Sequence, residues 1–358
     1  MPSSSGFDPQ SLQGRLEPWL AKRLPEADDV TVSGLDAPGE TGHSSETVLF
    51  DASWTQDGRE VVEHLVLRTA PGGHTVFPTY DLGLQYEVMQ RVGRAAPDVP
   101  LPPLRWYEPD PSAIGKEFFV MGRVDGQVPP DRLPYTMQGW LLEESSPEDQ
   151  RRLQMNAVDT LARLHLIDWR SAGLDILDQR RYGATGLDQQ LGFYEAFLEW
   201  GRGDHPHPRL HEVARWLRGN APDPEPEPTL NWGDARIGNI LFRDHEPVAV
   251  LDWEMATLGP PQVDLAWFCL FERFFSDELG MPNLPGFAPM DEVVARYESV
   301  TGRPVGDLGW YSVWGAFRYA VVMMRLCQAA ELDGEDPGFT QDDNPATSLM
   351  EHVLAEQG

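Results

Sequence analysis

Lysine and cysteine are both scarce in this chain, and each scarcity narrows the chemistry available. Lys22 and Lys116 are the only lysines in 358 residues, so a phosphate-binding cation elsewhere must be an arginine. The two cysteines, Cys269 and Cys327, stand in apolar helical patterns, as reduced core residues do, rather than in a disulfide or metal-ligand spacing. No apolar run reaches the roughly 20 residues of a membrane span. The longest, Val263 to Phe271, ends at Glu272 and Arg273, and Val321 to Met324 lies between Arg318 and Arg325. The opening MPSSSGFDPQ has neither a basic nor an apolar segment, so no signal peptide is expected and the expected location is cytoplasmic. Positive charge is short overall: 28 Lys and Arg face 57 Asp and Glu, and the net charge of −29 disfavours nucleic acid and anionic membranes as partners.

What is present is a large apolar inventory. Hydrophobic residues make up 41% of the chain and twelve are Trp, enough for a sizeable core divided between two lobes. The acidic excess suits a cationic small molecule, but the charges are spread throughout, which favours the plainer reading of a solvated acidic surface.

The most informative stretch is Leu230 to Asp264, LNWGDARIGNILFRDHEPVAVLDWEMATLGPPQVD. Ile240-Leu241-Phe242 and Val248-Ala249-Val250-Leu251 are short apolar runs around the turn residues Arg243 to Pro247, which predicts a hairpin. Its ends carry Asn239 and Asp252, with Asp234 five residues before Asn239. A hairpin brings its ends together, and these three hard-oxygen side chains suit Mg²⁺ better than zinc or copper. An ordinary hairpin also places Asp and Asn in turns. The joint order of GD, GN, strand, turn, strand and DWE is much rarer, and it matches the layout of phosphoryl-transfer enzymes.

The motifs WGDARIGNILF, LDWEMATLG and VDLAW resemble those of the aminoglycoside phosphotransferase and choline kinase-like family. The resemblance covers nearly the whole chain. It implies an α+β, protein-kinase-like two-lobe fold: a small antiparallel β-sheet lobe (1–124) and a larger, mainly helical lobe (125–358), with nucleotide in the cleft. Asp234 would be the catalytic base, Arg236 a cation offsetting charge on the transferred phosphoryl group, Asn239 and Asp252 the Mg²⁺ ligands, and Asp264 the anchor of the catalytic loop. The catalytic loop would span 231–239 and the metal-binding segment 252–254. Two positions depart from the family pattern: Trp232 replaces a His, and Pro260 replaces the Asp of a G-D-P.

Earlier in the chain, Leu12, Leu16, Leu20 and Leu24 predict an amphipathic helix over 8–24, with Pro18 as an irregularity. Strand-like runs follow, separated by a Gly/Ser segment whose Ser44 and Ser45 would cover the nucleotide phosphates. Arg68 ends the run LVLR, where the resemblance puts the phosphate-binding cation; either Gln85 or Glu87 would support it. Ile114 to Met121 resembles the family's strand into a hinge at 122–124, and by that resemblance the backbone of Gly122 to Val124 would read adenine, with Met121 near the ring. Ser146-Pro147-Glu148-Asp149 is a helix start. Within that helix, His165 is expected to be a hydrogen-bonded structural residue. The Pro-broken GDHPHPRLH, with His205, His207 and His211, reads as a surface loop.

Further helices are expected at 263–278, 291–300, 308–332 and 346–356; the resemblance implies that such helices build the acceptor pocket, with Glu254, Trp267, Phe271, Glu272, Trp310, Trp314 and Arg318 as candidates there. The expected activity is Mg²⁺-dependent transfer of the ATP γ-phosphoryl group to the hydroxyl of a small molecule, aminoglycoside-like or another alcohol. A nucleotide-binding pseudokinase or sensor is the alternative.

Overall fold

A computed structural model describes residues 8–36 and 46–358. These divide into two compact units: residues up to 87 together with 102–124, and residues 88–101 together with 125–358. Helix α2 (Leu82–Ala95) is divided between them at Glu87 and Val88.

The first unit is an antiparallel sheet backed by one helix. Helix α1 (Pro9–Arg23) is capped by Asp8, whose carboxylate accepts from the Ser11 amide at 2.8 Å. Five strands follow: β1 (Asp28–Asp36), β2 (Glu46–Gln56), β3 (Arg59–Thr69), β4 (Leu104–Glu108) and β5 (Phe118–Gly122), in the order β1-β2-β3-β5-β4. Alternate residues of β2, Val48, Phe50, Ala52 and Trp54, are buried with Leu65 and Leu67 of β3 and with Phe118 and Val120 of β5. Leu12, Leu16, Trp19 and Leu20 of α1 complete this core, on the four-residue spacing expected of the helix. The run expected as a strand from Ile114 enters the sheet only at Phe118, because Gly115 turns the chain in a left-handed conformation, φ +99°.

The second unit is mainly helical: α3 (Trp140–Glu143), α4 (Pro147–His165), α5 (Leu187–Gly201), α6 (Pro208–Gly219), α7 (Gln262–Phe275), α8 (Met290–Thr301), α9 (Gly309–Asp333) and α10 (Pro345–Ala355). Ser146 caps α4 as its sequence suggests, accepting from the Asp149 amide at 3.2 Å. Trp314 and Phe317 of α9 and Phe268 of α7 are among the largest fully buried side chains. Two small antiparallel ribbons interrupt the helices. One pairs β6 (Thr229–Asn231) with β9 (Thr257–Gly259), and the other is the hairpin of β7 (Ile240–Arg243) and β8 (Glu246–Val250). The hairpin turn is narrower than its sequence implies. Asp244 and His245, both at positive φ, make it alone, the geometry of a two-residue turn matched to strand twist. Among the described residues, no helix is long and apolar enough to cross a membrane.

His207 corrects the surface-loop expectation. It is fully buried just before α6, and its Nδ1 lies 2.6 Å from Asp342 Oδ1. Cys269 and Cys327 are both free and buried, and burial pushes both thiols up from their ordinary range.

Candidate active site

The loop after β6 is held from several sides by buried groups. The amides of Trp232 and Gly233 donate to Asp264 in the first turn of α7, at 2.6 Å to Oδ2 and 3.1 Å to Oδ1. His165 of α4 lies behind that carboxylate, with Nε2 3.2 Å from Oδ2 and Nδ1 2.7 Å from the Tyr297 hydroxyl. Arg318 of α9 donates through Nη2 to the Gly233 carbonyl at 2.8 Å. Gly233 has φ +96°, and a Cβ there would meet the Met255 carbonyl oxygen at 2.1 Å, so the turn into Asp234 accepts only glycine. Trp232 fills the position where a His is usual. Its indole N–H donates to the carbonyls of Leu251 (2.8 Å) and Asp252 (3.1 Å), tying the loop to the segment after β8.

This frame presents the Asp234 carboxylate with three side-chain donors. Oδ2 accepts from Asn239 Nδ2 at 2.6 Å, Oδ1 accepts from Trp267 Nε1 at 2.9 Å, and Arg236 Nε reaches both oxygens, at 3.0 and 3.1 Å. Arg236 also pairs with Asp131, and its guanidinium lies 5.4 Å from the centre of the Phe271 ring. Burial works against that cation, but Asp234 and Asp131 more than reverse the effect and hold its pKa above the ordinary value. Asp131 was not singled out from the sequence; it stands 105 residues from its partner, and no local pattern marks it.

Asn239 and Asp252, the expected metal ligands, stand at the two ends of the hairpin. A carboxylate only accepts, so the Asn239 NH₂ must face Asp234, and its Oδ1 turns away with no hydrogen bond from a described residue. The Asn239 carbonyl accepts from the Leu251 amide at 2.9 Å, which sets Asp252 one residue beyond the hairpin's closing bond. Asp252 does not close β8 as expected; it lies two residues past the strand, in the left-handed region at φ +52°. Among the described residues no group of three or more His, Cys, Asp or Glu is arranged as a metal site. Two hard oxygens suffice for Mg²⁺, which takes its remaining positions from water and phosphate.

Glu272, one turn beyond Phe268 on α7, is buried rather than the polar end of an apolar run. Gln154 of α4 donates to its two carboxyl oxygens, each at 2.9 Å, and is itself fixed by the Ala288 amide at 2.7 Å. Burial pushes the Glu272 carboxyl up to about 8, against a smaller opposing effect of Gln154. The native state therefore keeps the proton over a range where the unfolded chain, near 4.5, has lost it. This stability is complete below about pH 4.5 and is lost as pH rises through about 8. Glu272→Gln is expected to flatten the fall in urea midpoint between about pH 5 and 8, and an unchanged slope would show that Glu272 is ionised throughout.

The remaining predicted residues lie in the first unit. In β3 and β5, Leu67 pairs with Val120 and Arg68 with Phe119, while Val66 pairs with Met121. Alternation thus puts Arg68 and Met121 on the sheet face opposite α1. The amides of Gly122 and Arg123 are engaged, donating to the carbonyls of Pro103 (2.7 Å) and His64 (2.8 Å). The Val124 amide donates to no described residue. Gln85 is buried on α2, close in sequence to Glu87. Ser44 and Ser45 lie outside the described residues.

The sequence pattern of the phosphotransferase enzyme family (APH) matches residues 42–301. A chicken (Gallus gallus) protein named acyl-CoA dehydrogenase family member 11 is 32% identical over 262 residues, which is 72% of this chain and 31% of that protein. The chain thus spans about a third of that relative's length. A Ralstonia eutropha protein assigned by name to the aminoglycoside phosphotransferases superposes with a TM-score of 0.67 at 21% identity, covering 96% of this chain and 98% of that one. Aminoglycoside phosphotransferase APH(4)-Ia, solved with AMP-PNP and hygromycin B, gives 0.56 at 16% identity, covering 96% and 99%. With its small antiparallel sheet and helical second unit, this chain belongs to the phosphotransferase enzyme family and has its α+β, protein-kinase-like fold.

Proposed function

We propose that this protein transfers the γ-phosphoryl group of ATP to the hydroxyl of a small molecule, with Mg²⁺ as cofactor. The observation that carries the reading is the Asp234 carboxylate, fixed by Asn239, Arg236 and Trp267 on a loop that Asp264 anchors. In this role Asp234 accepts the proton of the acceptor hydroxyl as its oxygen bonds to the γ-phosphorus and the bond to the ADP oxygen breaks. Arg236 sits where a cation offsets charge on the transferred group. Asn239 Oδ1 and Asp252 would hold Mg²⁺, which when bound would supply charge neutralisation for the phosphates. Arg68 and Met121, on one sheet face, would meet the phosphates and the adenine, with the Val124 amide as the hinge donor.

The alternative, a nucleotide-binding protein without transfer, draws on Gln85 and, at the loop, on Trp232 and Pro260. Trp232 has a structural role here, tying the loop to residues 251–252, and at Pro260 the backbone carbonyl, which any residue would supply, accepts from Asn231 Nδ2 at 3.2 Å. Neither removes the base.

ADP release should be measured with aminoglycosides, amino alcohols, hydroxy acids and, given the names of the curated relatives, hydroxyacyl-CoA thioesters. Acceptor-dependent, EDTA-sensitive release supports transfer; tight nucleotide binding with no release for any acceptor supports the alternative.

A further inference from the structure

Trp267 has no role in the expected catalytic set, yet its indole N–H is 2.9 Å from Asp234 Oδ1. The residue is buried on α7, three positions after the loop anchor Asp264, so one turn of helix carries both contacts. Its ring is clamped. The Arg318 guanidinium lies 4.5 Å from the ring centre, and the Phe271 ring packs at 4.9 Å. Arg318 is itself buried, and besides the Trp267 and Tyr194 rings it binds the Gly233 carbonyl, immediately before Asp234. Its Nε and Nη1 have no hydrogen-bond partner among the described residues, so the aromatic faces carry much of the contact that this desolvated cation makes.

We propose that Trp267 is the positioning residue of the base, with Arg318 as its support; this rests on Asp234 being that base. Arg236 approaches both carboxylate oxygens, and Asn239 holds only Oδ2. The Trp267 bond is the contact made to Oδ1 alone, and with the Asn239 bond to Oδ2 it holds the carboxylate plane from both ends. An indole N–H only donates, so it orients the carboxylate and cannot itself take the proton of the acceptor hydroxyl.

The test compares Trp267→Phe, Asp234→Asn and the double variant in Mg²⁺- and acceptor-dependent turnover. Trp267→Phe keeps a ring for Arg318 and Phe271 but removes the donor. It should lower kcat about ten- to a hundredfold, the loss expected for one hydrogen bond to a charged group, with nucleotide KM unchanged. In the Asp234→Asn background the same change should have almost no effect, because Trp267 acts through that carboxylate. Site-specific β-(3-benzothienyl)alanine, which replaces the indole N–H by sulfur at nearly constant shape, gives the same comparison should the Phe variant fold poorly. If kcat is unchanged in both replacements while Asp234→Asn is inactive, the positioning role is overturned and the base stands. Normal turnover in Asp234→Asn overturns the base and this inference with it.

Discussion

Asp234→Asn is expected to lower turnover by about 10³-fold while leaving nucleotide affinity intact. The substitution preserves shape, and an Asn oxygen can still accept from Asn239, which lies at 2.6 Å, or from Arg236. The new amide NH₂ must face a donor, Trp267 or Asn239, and loses that one contact, while Arg236 keeps its pairing with Asp131 and Asp264 still anchors the loop. What disappears is the ability to take a proton from the attacking hydroxyl. The effect should therefore fall on kcat, and the KM for ATP should not follow it. Steady-state ADP release at saturating acceptor measures this, and turnover close to the unaltered protein's would remove Asp234 as base.

Asp264→Ala should give the largest loss of stability, about 3–5 kcal/mol. The carboxylate is fully buried, and both its oxygens are used, by the amides of Trp232 and Gly233 and by His165. Alanine would strand two backbone N–H groups and an imidazole nitrogen with no route to water, and each would carry an uncompensated desolvation cost. Gly233 cannot relax toward Met255, whose carbonyl already crowds it. The displaced loop carries the base, so activity should fall with stability. Urea unfolding measures the effect, and a loss below about 1 kcal/mol would mean that another group holds the loop.

Much of this site was legible because its parts are close in sequence. Asp234, Arg236, Asn239 and Asp252 lie within one hairpin and its approaches, and short-range pattern fixes a hairpin well. Helix α1 was similarly readable from Leu12, Leu16 and Leu20, and most helix ends fell within a residue or two of expectation. Partners supplied across long stretches of chain were not readable. Asp131 sits in a loop with no periodicity, and only the folded chain brings it to Arg236. Glu272 looked like the polar end of an apolar run, because its neutralising environment comes from Gln154, 118 residues earlier. His207 was misread for the same reason, its partner Asp342 being 135 residues away. Trp267 was visible as a residue but not as a donor, since sequence gives a helix face and not the direction of an indole N–H.

The central claim is that Asn239 and Asp252 hold a divalent ion beside the Asp234 carboxylate. A crystal structure with Mg²⁺ and a non-hydrolysable ATP analogue tests it most directly. The account predicts an octahedral ion at about 2.1 Å from Asn239 Oδ1 and an Asp252 carboxylate oxygen, with nucleotide phosphate oxygens completing its shell. Nucleotide bound with no ion at those two oxygens, or with its triphosphate directed away from Asp234, would contradict it.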